Sequence, residues 1–135
     1  MIRFMIYGIA GWCIEILWTG LWSAFLGDWR LISQTYIWMF FIYGSAVFLE
    51  PLHDKIRHHT WGVRGLIWVA VIFIMEYSAG FLLDTVIGSC PWNYASKTSF
   101  ATVSGYIRLD YAPAWFIAGL GFEKLHDFLS SSRIY

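Results

Sequence analysis

The longest apolar run of the chain lies between Leu66 and Leu83 and contains one charged side chain, Glu76. At helical rise these residues span about 27 Å, which is close to the hydrocarbon thickness of a bilayer. A surface helix of a soluble protein would carry a polar face, and this run has none. The pattern therefore predicts a transmembrane helix with a carboxylate near its middle.

Three further apolar runs repeat this design, and each contains one glutamate: Glu15, Glu50 and Glu123. The runs and the polar turns between them predict four helices, at about 2–26, 36–57, 63–86 and 110–129, and a loop at about 88–109. Pro51 predicts a kink beside Glu50, because proline removes one backbone hydrogen bond. We therefore expect an all-α, polytopic membrane protein with a single transmembrane domain over residues 1–135.

Two short segments indicate an internal repeat. Residues 49–54 read LEPLHD and residues 122–127 read FEKLHD, which agree at Glu, Leu, His and Asp. Glu15 and Glu76 lie near the middle of the first and third helices. We therefore predict a four-helix bundle of two tandem helical hairpins, related by an axis along the membrane normal.

Composition supports a membrane location. Of the 135 residues, 59% are hydrophobic and 13% are charged, whereas a soluble domain has about 25% charged residues. The formal net charge is zero, so no electrostatic feature favours nucleic acid as a partner. The N-terminal run continues to Leu26 and holds Glu15, so we expect a retained first span rather than a signal peptide. We expect a multi-pass protein of the cell membrane, whose surroundings are the lipid bilayer.

Basic residues predict the orientation. The N-terminus, the middle loop and the C-terminus together hold Arg3, Lys55, Arg57, Arg64, Lys124 and Arg133. The opposite side holds Arg30, Lys97 and Arg108. Because cytoplasmic segments carry the excess of basic residues, both termini are expected in the cytoplasm.

The glutamates are the main candidates for a functional site. A carboxylate inside an apolar span costs at least about 2–3 kcal/mol unless it is paired or hydrated. We therefore predict that the four glutamates converge on one interior polar cavity that binds a substrate, an ion or a proton. The candidate residues for this transport site are Glu15, Glu50, Glu76, Glu123, Tyr43, Trp92, Asn93 and Tyr94. In a purely structural hypothesis, the glutamates only hold helices together.

A metal site is the second hypothesis for the same residues. One glutamate from each of two helices, and Glu-x-x-His from each of the other two, is the ligand set of di-iron and di-manganese carboxylate bundles. The corresponding residues here are Glu15, Glu50, His53, Glu76, Glu123 and His126. Asp54 and Asp127 are placed to accept hydrogen bonds from the two imidazoles.

The loop after the third helix contains Pro91, Trp92, Asn93 and Tyr94. Amphipathic rings next to a rigid turn favour an interface that is apolar on one side and wet on the other. We expect this segment to fold back and cap the outer mouth of the bundle.

No Gly-rich phosphate loop is present in the sequence, so any ATP hydrolysis that drives this protein requires a separate ATPase subunit. We also expect the chain to associate with copies of itself. Cys13 falls in the first helix and Cys90 in the loop, so a disulfide between them is not expected.

Several segments resemble one family, the CmpB-type ABC-transporter membrane proteins, and its animal relatives, the transmembrane 229 proteins. The resemblance rests on residues 11–15 (GWCIE), 76–80 (EYSAG), 91–94 (PWNY) and 105–111 (GYIRLDY). It covers most of the chain and implies a permease-like role. That family more often has aspartate at the position of Asn93, so an acid role there does not carry over to this chain.

Overall fold

The computed structural model of the protein describes residues 1–95 and 102–132. These residues are mostly helical, and their one sheet is a two-stranded antiparallel hairpin. The predicted all-α class is confirmed. Part of the predicted loop, including Lys97, and Arg133 at the C-terminus lie outside the described residues, so the structure says nothing of their place in the orientation argument.

In chain order the elements are α1 (Ile2–Phe25), α2 (Ile37–Gly44), a 3-10 segment (Ser45–Leu49), α3 (Glu50–Ile56), α4 (Trp61–Ile87), β1 (Thr102–Val103), β2 (Ile107–Arg108), a second 3-10 segment (Leu109–Tyr111) and α5 (Ala112–Ser131). Among the described residues, α1 and α4 are the two helices long and apolar enough to cross a membrane. They correspond in position to the first and third predicted helices.

The second predicted helix, at 36–57, is not one continuous α-helix. A 3-10 segment separates α2 from α3 and ends just before Pro51. Pro51 has no backbone N–H, and its ring crowds the carbonyl of Val47. That carbonyl accepts a hydrogen bond from the N–H of Glu50 instead, which makes a tighter turn. The predicted disturbance at Pro51 therefore extends back over a longer segment than a simple kink.

The described residues form two compact units, 1–52 with 129–132 and 53–95 with 102–128. In the first unit α1 packs closely on α2. A Cβ atom on Gly11 would lie 2.3 Å from Cγ of Tyr43, and one on Gly8 would lie 2.7 Å from the ring of Phe40. Glycine at these positions allows the two helices to approach, as small residues do in membrane helices.

The second unit joins α4, the hairpin and α5. Trp68 on α4 is only 1% exposed and packs against Gly119 of α5. Helix α4 ends at Gly88, which has a left-handed backbone (φ 77°) and donates its N–H to the carbonyl of Asp84 at 3.0 Å. This turn starts the loop that returns toward α4.

Candidate functional site

Glu15 projects from the middle of α1 toward two hydroxyl groups of its own unit. Tyr43 Oη donates to Glu15 Oε2 at 2.9 Å, and Thr35 Oγ1 donates to the same oxygen at 3.1 Å. Thr35 also lines an open cavity of about 560 Å³, together with Ile16, Ser33, Gln34 and Tyr36. The carboxylate of Glu15 is therefore one hydrogen bond away from a cavity whose walls are partly polar.

Glu50, at the start of α3, is held by two residues near the N-terminus of α1. Arg3 Nη1 donates to Glu50 Oε2 at 2.9 Å, and Tyr7 Oη donates to Glu50 Oε1 at 2.7 Å. Arg3 is buried, and its second terminal nitrogen, Nη2, donates to Ser130 Oγ at 3.2 Å. Each carboxylate oxygen of Glu50 thus accepts a bond from α1.

Glu76, in α4, is approached by the loop that follows this helix. Tyr94 Oη donates to Glu76 Oε1 at 3.3 Å. Trp92 is 6% exposed and donates its indole N–H to the carbonyl of Tyr106 at 3.1 Å. Asn93 Oδ1 accepts the N–H of Ala95 at 2.8 Å. The loop therefore folds back onto its own unit, while the capping of a bundle mouth stays a prediction.

Tyr106 and Asp84 make a further polar contact of this loop that the sequence reasoning missed. Tyr106 Oη donates to Asp84 Oδ2 at 2.7 Å, and Gly80 lets the ring lie against α4. The hydrogen bond to the carboxylate raises the pKa of Tyr106 to about 12. Tyr106 and Asp84 lie 22 positions apart in the sequence, so no local motif could have indicated this contact.

Glu123, in α5, is buried and held from α4. Arg64 Nε donates to Glu123 Oε2 at 3.0 Å, and Trp68 Nε1 donates to Glu123 Oε1 at 2.8 Å. Arg64 and Trp68 are one helical turn apart, as are Arg3 and Tyr7. In each unit an arginine and an aromatic donor at i and i+4 hold one glutamate, although the sequence reasoning named neither donor pair.

His53 and His126 meet in the second unit with their aspartate neighbours. The two rings pack edge to face with centroids 4.9 Å apart, and they are 2% and 5% exposed. His53 Nε2 lies 3.3 Å from Asp127 Oδ1, and His126 Nε2 lies 3.7 Å from Asp54 Oδ1. His53 therefore lies beside Asp127, and His126 lies beside Asp54. Each imidazole faces the aspartate that follows the other histidine in the sequence, and not the aspartate next to itself.

The remaining contacts of this cluster involve Glu123 and Arg57. His53 Nδ1 lies 3.5 Å from Glu123 Oε1. Arg57 Nη2 lies 2.9 Å from His53 Nε2, and it also donates to Asp127. Of the six predicted metal ligands, the second unit thus brings together His53, Glu123 and His126.

Comparison with known proteins identifies the family of the chain. No solved structure matches it. One family model, described as "Putative ABC-transporter type IV", matches residues 2–134, which is nearly the whole chain. The length and apolar composition of α1 and α4 agree with membership of this family, and the protein belongs to it.

Proposed function

We propose that this protein is a small transporter component of permease type in which Glu15, and Glu76 as its counterpart, bind a cation, a proton or a polar substrate. The observation that carries the proposal is the position of Glu15. Its carboxylate lies inside an apolar helix, accepts bonds from Thr35 and Tyr43, and adjoins an open cavity that Thr35 lines. Ionisable groups placed in this way mark ion and substrate pathways in membrane proteins.

The four glutamates divide into two kinds by their partners. Glu50 and Glu123 each accept bonds from an arginine and an aromatic N–H or O–H, which makes them anchors between helices. Glu15 accepts from hydroxyl groups, and Tyr94 reaches Glu76 with a hydroxyl group as well. Hydroxyl groups can reorient and serve as donor or acceptor, so they suit a site that exchanges a ligand or a proton.

The predicted internal repeat supports this assignment. Arg3 and Arg64, Tyr7 and Trp68, and Glu15 and Glu76 are each separated by 61 positions. The LEPLHD and FEKLHD segments lie 73 positions apart. The shared manner in which Glu50 and Glu123 are held supports two tandem hairpins and, with them, the four-helix bundle.

The test of the transport site is the variant Glu15→Gln, which keeps the shape and removes the charge. Full-length protein in liposomes is assayed for uptake of protons with an internal pH dye, and for ligand-induced thermal shifts with a panel of alkali-metal cations and small polar solutes. We expect Glu15→Gln to insert normally and to lose the flux or the thermal shift seen with the parent.

Asp28→Asn is the matched control for this experiment. It makes the same acid-to-amide change in an exposed turn, where Asp28 pairs with Arg30. It should behave as the parent does. Equal behaviour of Glu15→Gln and the parent in an assay where the parent is active would contradict the proposed site.

The orientation is tested with a thiol reagent that does not cross the membrane. In a chain with Cys13 and Cys90 replaced by alanine, we expect a cysteine at Ser96 to be labelled from outside intact cells. A cysteine at Ser131 should react only after the cells are opened. The reverse pattern would place both termini outside.

The family description favours a chain that works beside a separate ATPase subunit, and self-association of the chain remains part of the proposal. A pull-down of the full chain from its native membrane, followed by mass determination in detergent, measures both. A complex that contains neither an ATPase nor a second copy would remove this part of the proposal.

The second candidate function is a membrane di-iron or di-manganese carboxylate protein. The approach of His53, His126 and Glu123 in one unit favours it. Both oxygens of Glu123 and both of Glu50 already accept bonds, which argues against their use as bridging ligands. Metal analysis of purified protein that finds two equivalents of iron or manganese per chain would favour this function.

A further inference from the structure

We propose that His53, His126 and Asp54 form a binding site for one divalent transition-metal ion of the zinc type, flanked by Asp127. The site is separate from Glu15 and Glu76, and it does not rest on the proposed transport function. It also differs from the dinuclear set, because it uses aspartates as ligands and leaves Glu123 as a supporting residue.

The distances between the candidate ligand atoms fit a single ion. One nitrogen or oxygen atom from each of His53, Asp54 and His126 lies within 4.8 Å of the others. The separations of 3.3 Å (His53 Nε2 to Asp127 Oδ1) and 3.7 Å (His126 Nε2 to Asp54 Oδ1) are close to a tetrahedral edge. For metal–ligand bonds of about 2.0–2.1 Å that edge is about 3.3–3.4 Å.

The protein already orients His53 as a ligand. Arg57 Nη2 donates to His53 Nε2 at 2.9 Å, so Nε2 carries the lone pair and Nδ1 carries the proton. His53 Nδ1 is buried and lies 3.5 Å from Glu123 Oε1 without a hydrogen bond between them, and Glu123 is fixed in turn by Arg64 and Trp68. A carboxylate behind the second nitrogen is the usual support of a metal-binding histidine.

Arg57 stands in this structure where the positive charge of a metal ion would act. Its Nη2 contacts His53 and Asp127 and lies 3.6 Å from Asp54 Oδ1. The Arg57 side chain is 53% exposed and belongs to the end of α3 and the polar connection that follows it, so it can swing outward. The Asp54 side chain is 63% exposed, which gives an ion a route from solvent to the buried imidazoles.

The chemistry of the ligands indicates the class of metal. Two imidazoles with carboxylates suit zinc and its first-row neighbours, whereas calcium and magnesium prefer oxygen ligands alone. We therefore expect Zn²⁺ and Co²⁺ to bind in competition with Arg57.

The experiment is a titration of full-length protein in detergent with Zn²⁺ by calorimetry, and with Co²⁺ by visible absorption, which reports the coordination geometry of the bound ion. We expect one equivalent per chain. Asp54→Asn and His126→Gln should weaken binding by about tenfold or more, because loss of even an outer partner of a ligand costs about 10–100-fold in metal affinity. Arg57→Gln should strengthen binding, because it removes the competing cation.

The double variant His58→Gln/His59→Gln is the matched control. These histidines lie in the neighbouring polar connection, stacked on each other with centroids 4.0 Å apart, and offer an adventitious surface site. The site is correct if binding weakens in Asp54→Asn or His126→Gln while the control leaves the titration unchanged. Absence of binding by the parent, loss of binding in the control, or unchanged binding in both Asp54→Asn and His126→Gln would overturn it. Circular dichroism of each variant separates loss of a ligand from loss of the fold.

Discussion

Alanine in place of Gly119 is expected to destabilise the protein, whereas alanine in place of Gly121, on the same helix, is expected to leave it as stable or to stabilise it. A Cβ atom on Gly119 would lie 2.2 Å from Cβ of Trp68 and 2.5 Å from its Cγ. These atoms are close to the backbone of α4, so they cannot move aside as the end of a flexible side chain can. Overpacking of this kind costs about 1–3 kcal/mol.

Gly121 is the matched control because a Cβ atom there has no described neighbour within 4 Å. Both changes give the same gain in helix propensity, about 1 kcal/mol, since alanine replaces glycine inside α5. Thermal unfolding of the purified chain in detergent, followed by gel filtration of heated samples, measures the difference. Equal midpoints for the two variants would show that α4 and α5 do not pack as described.

The same substitution also connects packing to the polar contacts. Trp68 donates its indole N–H to Glu123, so a displaced Trp68 ring would leave that carboxylate with fewer donors. Glu123 in turn supports His53. We therefore expect Gly119→Ala to weaken Zn²⁺ binding at His53 and His126 as well, while Gly121→Ala leaves it unchanged.

Much of the helical structure follows from the sequence, because apolar runs of membrane-spanning length have few alternatives to a helix. The ranges predicted at 2–26 and 63–86 correspond to α1 and α4. The break between α2 and α3 was harder to predict, since Pro51 indicates a disturbed helix but not how far a 3-10 segment extends before it. The two-residue strands of the loop lack the alternating pattern that predicts a strand.

The residues of the candidate site could also be predicted only in part from the sequence. The glutamates, the histidines and their aspartates were recognisable because charged groups are rare in apolar runs. Their partners were not, since Arg3 and Arg64 read as basic residues that set orientation, and Tyr7 and Trp68 read as apolar or interfacial residues. Contacts over 47 to 59 positions, such as Arg3 with Glu50 and Arg64 with Glu123, depend on helix packing that no local pattern encodes.

Removal of Arg64 is expected to be among the most damaging single changes in this chain, and removal of Glu123 together with it should restore most of the loss. The Glu123 side chain is 4% exposed and forms an ion pair with Arg64 at 3.0 Å. A buried carboxylate without its partner costs about 3–5 kcal/mol, whereas replacing both members of a pair with neutral residues costs far less. The variants are Arg64→Gln, Glu123→Gln and the double substitution.

Two other ion pairs provide a comparison for the effect of Arg64→Gln. Arg3 with Glu50 has the same arrangement, but the Glu50 side chain is 17% exposed, so Arg3→Gln should cost less than Arg64→Gln. Arg30→Gln breaks an exposed pair with Asp28 that solvent screens, so it should change the unfolding midpoint least of the three. The order Arg64, Arg3, Arg30 in unfolding midpoints is the expected result.

The double variant decides what kind of contact this is. If Glu123 is ionised and held by Arg64, Arg64→Gln/Glu123→Gln is more stable than Arg64→Gln alone, because the uncompensated charge has been removed. The amide of glutamine can still accept the indole N–H of Trp68, so that contact survives in the double variant. If the double variant is as unstable as the sum of the two single variants, Arg64 stabilises the second unit through its bonds to the carbonyls of Arg57 and His59, and the anchor role assigned to Glu123 is wrong.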